Sequence, residues 1–302
     1  MVPDRTAAGL GERRGAGPVE VLSRGFVLAM AAATVAASGR VAAWPWLLAA
    51  DVLALALVEL VARAPAAGRV GAAISLWYPY LLIPAYYWQL GVLSLGAQAR
   101  DPLVQRWEAA IFGGQVSVTW HQASASPLLS SVLHACYLAH YAIIIGVPVW
   151  LFLRSGREAC ARALFGITLA FYVCYLCFAV FPVAGPYYAL PAPTGPMENL
   201  FLDRLVRGVL ESGSSWGTAF PSSHVAASWC AVLMARRHAP WLAAVLAPVA
   251  LGLAAGTVYG QFHYAVDALA GAAVAVACFA LADPLRTWLA RRPAGRQVAA
   301  AP

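Results

Sequence analysis

The sequence predicts an all-α polytopic membrane protein with about eight transmembrane helices. Three observations predict it: a charge-poor composition, apolar runs of spanning length, and an uneven placement of arginine. The chain has 302 residues, of which 62% are hydrophobic and 11% charged, and its mean hydropathy is +0.70. A soluble domain carries about 25% charged residues, so this surface suits lipid better than water. The length fits one compact bundle with no separate large soluble domain.

The elements follow in order. Residues 1–20 are polar and read as a disordered cytoplasmic tail. Apolar runs lie at roughly 21–38, 46–62, 70–95, 127–153, 159–183, 222–237, 239–258 and 262–284. A helix needs about 20 residues to cross a bilayer. Lipid offers the backbone no hydrogen-bond partners, which favours helices throughout. The run 46–62 is short and holds Asp51 and Glu59, and Pro240 divides the pair 222–237 and 239–258. The reading is one transmembrane catalytic domain over 21–285, followed by a basic cytoplasmic tail over 286–302. Phe26 to Ala37, after Arg13 and Arg14, also has the form of the apolar part of a signal peptide. Cleavage there leaves the orientation of the remainder unchanged.

All twenty cationic residues are Arg. With the N-terminus cytoplasmic and eight crossings, fifteen of them fall on the cytoplasmic side. Only Arg40, Arg100, Arg106, Arg204 and Arg207 fall outside. This obeys the positive-inside rule. The net charge of +7 therefore reports topology and not a nucleic-acid patch. Six Cys lie in or beside apolar runs, and Cys174-x-x-Cys177 sits within one. They read as small packing residues, and neither cofactor nor metal is expected.

Two outer loops are long. Residues 96–126 carry Trp107 and Trp120, which suit an interfacial segment. Residues 184–221 begin Gly185-Pro186-Tyr187-Tyr188 and could cover a site. Two segments then carry chemistry: Pro221-Ser222-Ser223-His224, and His263-Tyr264-Ala265-Val266-Asp267. The topology puts both at outer helix ends, at one depth. Proline is tolerated at a first helical turn, and Ser222 and Ser223 then lie at an anion-binding terminus. His263 and Asp267 are four apart, so on a helix they share a face. A carboxylate there can fix one imidazole nitrogen and leave the other to attack. Charged groups at membrane depth are costly and ask for a reason.

These segments resemble the second and third signatures of the type 2 phosphatidic acid phosphatase superfamily, Pro-Ser-Gly-His and Ser-Arg-x5-His-x3-Asp. The resemblance covers about residues 180–285. It departs from the signatures at Ser223, which replaces Gly, and at Thr257, which replaces Arg; the lysine-bearing first signature has no counterpart. The departures look like the branch that includes inositol phosphorylceramide synthase and, more distantly, sphingomyelin synthase. The resemblance implies a six-helix phosphatase-type catalytic core within the eight crossings. It also implies that His263 is the nucleophile, Asp267 its orienting group and His224 the acid.

The expected function is a metal-independent lipid phosphotransferase. It would move a phospho-headgroup from a lipid phosphodiester to an alcohol through a phosphohistidine. Loss of the signature cations suits the single charge of a diester better than the double charge of a monoester. The alternative is a phosphatase acting with water on phosphatidic acid or a polyprenyl phosphate. A transporter or lipid-binding scaffold belongs to another class, and polar residues gathered at one set of helix ends argue against it. Ser222, Ser223, Tyr187, Tyr264, Arg204, Arg207, His134 and Tyr137 are the candidate substrate-binding residues. His134 and Tyr137 share a helix face. The partners are a membrane lipid and the bilayer, without nucleic acid. The expected location is a bacterial inner (plasma) membrane, with the site extracytoplasmic.

Overall fold

The computed structural model describes residues 16–64, 68–124, 126–191 and 200–291. Residues 1–15 and 292–302, which hold most of the expected tails, lie outside this description. Among the described residues the architecture is all-helical, with one isolated bridge between Val183 and Thr218.

Eight helices run between the two ends of the bundle: α1 (Pro18–Ala36), α2 (Trp44–Arg63), α3 (Gly68–Ser94), α6 (Pro127–Ser155), α7 (Arg157–Val180), α10 (Ser223–Arg236), α11 (Pro240–Tyr259) and α12 (Ala265–Ala290). Four shorter ones lie at the histidine-bearing end: α4 (Asp101–Phe112), α5 (Val116–Ala123), α8 (Pro186–Ala189) and α9 (Phe201–Gly213). Among the described residues, six helices are long and apolar enough to cross a membrane: α1, α2, α6, α7, α11 and α12. α10 spans only 14 residues and is mostly buried, packed among α6, α7, α11 and α12.

The helix limits have physical causes. Pro18 occupies the first turn of α1, where its missing N–H costs nothing. The helix therefore takes in residues 18–20, which the sequence assigns to the tail. α12 continues past 285 to Ala290, and Arg286 bonds Glu158 of α7 through both terminal nitrogens.

Polar contacts sort the two ends. At one end Arg24 and Arg63 pair with Glu59, Arg162 with Glu158, and Arg237 with Asp283. At the other, the Asp51 carboxylate accepts from Thr34 at 2.9 Å and from Gln89 at 3.0 Å. That contact joins α1, α2 and α3. Apolar side chains gain little by leaving lipid for protein, so close packing and such buried polar bonds hold a membrane bundle together.

Candidate active site

The site forms where α10 and α12 begin side by side. Ser222 is the N-cap of α10, and its hydroxyl oxygen accepts from the Val225 amide at 3.4 Å. The helix thus starts at Ser223, with Pro221 just outside it. The Ser222 amide donates to the Asp267 carbonyl at 3.0 Å. Gly271 makes this contact possible: a Cβ there would lie 2.5 Å from the Ser222 carbonyl oxygen.

His263 and Asp267 do not share a helix, contrary to the sequence expectation. Gln261 has φ of +60° and breaks the chain away from α11, and Tyr264 is the N-cap of α12. His263 therefore precedes the helix and folds back over its first turn. Its Nδ1 lies 3.4 Å from Asp267 Oδ2. That oxygen also accepts from the Tyr264 amide at 2.9 Å, so Asp267 both caps α12 and faces the imidazole. Asp267 is fully buried and His263 nearly so. Burial pushes His263 down to about 4, which keeps the ring neutral near pH 7.

His224 stands across a cleft from His263, with ring centroids 6.0 Å apart. Its Nε2 lies 3.4 Å from the Tyr137 hydroxyl of α6, and the two rings stack at 5.2 Å. His140 packs behind it at 4.5 Å and bonds Ser228 at 2.8 Å. Tyr87, Tyr137, Tyr187, Thr218, Phe262 and the two histidines are among the cleft-lining residues, and among the described residues no Arg lines it.

Two buried acids that the sequence does not single out organise the walls. Asp101 accepts from the Ala184 and Gly185 amides at 2.8 and 2.9 Å and from the Tyr264 hydroxyl at 3.0 Å. Glu108 accepts from the Ala265 and Val266 amides at 3.2 and 3.0 Å and from Val116 at 3.2 Å. Carboxylates thus already hold the free amides and dipole of the α12 N-terminus. The N-terminus of α10 carries no such carboxylate cap, and Ser223, in its first turn, is buried.

The other candidates scatter. Tyr264 is turned away from the cleft, toward Asp101 and Gln105. His134 pairs with Asp203 of α9 at 3.3 Å, and Arg207 pairs with the same carboxylate at 2.9 Å. Arg204 is exposed. α9 is held over the cleft by Val206, which packs on Tyr137 and Phe262. Among the described residues no cluster of three or more His, Cys, Asp or Glu has a metal-holding arrangement.

A comparison with known families matches residues 103–281 to the PAP2 superfamily. No curated protein and no solved structure matches the chain.

Proposed function

The chain belongs to the PAP2 superfamily, and from that premise we propose that it transfers a phospho-headgroup from a lipid phosphodiester to an alcohol. Membership points to a phosphatase- or phosphotransferase-type lipid enzyme. The observation that carries the finer reading is the pair of histidines 6.0 Å apart in a cleft that no arginine among the described residues lines. Two basic groups suffice for a double displacement, while a doubly charged monoester would meet no arginine among the described lining residues.

In the first step His263 Nε2 attacks phosphorus, a P–N bond forms, and the bond from phosphorus to the donor-lipid oxygen breaks. His224 gives that oxygen a proton. In the second step His224 takes the proton of an alcohol, whose oxygen attacks phosphorus, and the P–N bond breaks. Asp267 steadies the charge that builds on His263. On this reading Ser223 and the amides at the start of α10 would stabilise the equatorial oxygens, where transition-state charge accumulates. No step calls for a metal. The aromatic walls and the cover of α9 favour an alcohol over water as acceptor.

On this reading all eight long helices cross the membrane, α3 and α10 included, and the arginine-rich end is cytoplasmic. The site then faces the extracytoplasmic side of a bacterial inner membrane. The departures at Ser223 and Thr257 support kinship with the inositol phosphorylceramide synthase-like branch.

The test is turnover by purified protein of a phosphodiester lipid against phosphatidic acid, with His263→Ala as control. The proposal expects headgroup transfer from the diester and none in the variant. Turnover of the monoester alone would overturn it.

A further inference from the structure

The cleft has one wall that lies outside the family-matched region. α3 precedes residue 103, yet its Tyr87 lines the cleft together with His224 and His263. Its last turns press on the segment that leads to His224. A Cβ on Gly91 would lie 2.9 Å from the Ser215 side chain, so only glycine allows α3 this close.

The hydroxyls at that wall have an informative hydrogen count. Thr218 has one hydroxyl hydrogen, and its closest acceptor is the Ser215 carbonyl at 2.6 Å. The Tyr87 oxygen lies 3.2 Å from Thr218 Oγ1 and 3.4 Å from the Ser215 amide nitrogen. With the Thr218 hydrogen spent on Ser215 and the amide donating to Tyr87, the phenol keeps its own hydrogen. That hydrogen goes either to Thr218 or into the cleft. A phosphoryl oxygen entering the cleft is the stronger acceptor, because it is charged. Tyr137 presents a second phenol beside His224.

We infer that Tyr87 is a substrate-contacting residue that donates a hydrogen bond to a non-bridging phosphoryl oxygen, a neutral donor in a cleft whose described lining holds no arginine. α3 thereby completes the site instead of only anchoring it. This rests on the phosphoryl-transfer reading above.

The test uses Tyr87→Phe, which keeps the ring against Tyr175 at 6.1 Å and removes only the hydroxyl. Wild type and variant are compared on a lipid phosphodiester and on its two phosphorothioate diastereomers. Loss of a hydrogen bond to a charged group predicts about 10- to 100-fold lower kcat/KM on the oxygen substrate. It also predicts a much smaller loss on the one diastereomer whose sulfur, a weak acceptor, faces Tyr87. Equal losses on all three substrates, or no loss at all, would overturn the inference. Orthovanadate inhibition, measured with whichever phosphorylated lipid turns over, separates the two readings. If the diester proposal alone is mistaken, Tyr87→Phe still weakens vanadate about tenfold or more. Unchanged vanadate inhibition overturns the role of Tyr87 itself. Thermal unfolding of the variant in detergent checks that it folds.

Discussion

The Ser222 amide bonds the Asp267 carbonyl at 3.0 Å, so the helix that carries His224 is tied directly to the first turn of the helix that holds His263 in place. The reach between the two imidazoles depends on this tie. Gly271 is the residue that lets the two backbones meet, with the Ser222 carbonyl where a side chain would be.

Gly271→Ala should therefore separate α10 from α12. The Cβ meets backbone oxygen, which cannot rotate away. Overpacking of this kind costs about 1–3 kcal/mol. The expected result is a lower unfolding temperature together with at least a tenfold loss of kcat. A variant with wild-type turnover would show that the histidine spacing does not depend on this contact.

Asp267 caps a helix and faces His263, and the two roles separate by substitution. Asp267→Asn keeps an oxygen for the Tyr264 amide but loses the charge that supports the imidazolium. Turnover should fall about 100- to 10,000-fold, the range of acid–base and orienting groups. Glu108→Gln removes a neighbouring cap charge, which should cost about 1 kcal/mol of stability and leave most of the turnover. Equal losses of activity in the two variants would reduce Asp267 to a cap.

Burial holds His263 near 4. The His263 ring is thus neutral above that value and protonated below it. The acid limb of kcat/KM should fall near pH 4, well under the ordinary histidine value of 6.5. The same shift works against stability in acid. A group with its folded value lowered loses its stabilising contribution as pH drops from about 6.5 through about 4. An acid limb at 6 to 7 would contradict a buried neutral nucleophile.

Asp203 fastens α9 to α6 through His134 and to itself through Arg207. Asp203→Asn leaves these donors poorly matched, at a cost of about 1–3 kcal/mol. Amide hydrogen exchange over residues 201–213 should speed up while turnover stays well above that of His263→Ala. Unchanged exchange would mean that Val206 alone seats the helix.

Much of this was legible in the residues themselves. The apolar runs mark the long helices, and the arginines separate the ends where the structure places them. His224, His263 and Asp267 stand out because polar groups are rare in such a chain. The local start of α12 was not legible, because Asp267 caps Tyr264 and pushes His263 off the helix. Asp101 and Glu108 look like surface acids of a loop. Their partners lie 83 and 158 positions away, and nothing in the local sequence announces them. Tyr87 is hidden for the same reason, in a helix full of aromatics. Arg204 and Arg207 had the right charge and the right loop, but α9 turns one to solvent and the other to Asp203.

The central claim is tested most directly by trapping the covalent intermediate. Wild-type protein is incubated with a lipid phosphodiester, quenched in alkali and digested, and its peptides are examined by mass spectrometry. The account predicts a phospho-headgroup adduct on His263, absent from His263→Ala. Turnover of the diester with the adduct on His224, or with no adduct on either histidine, would contradict it.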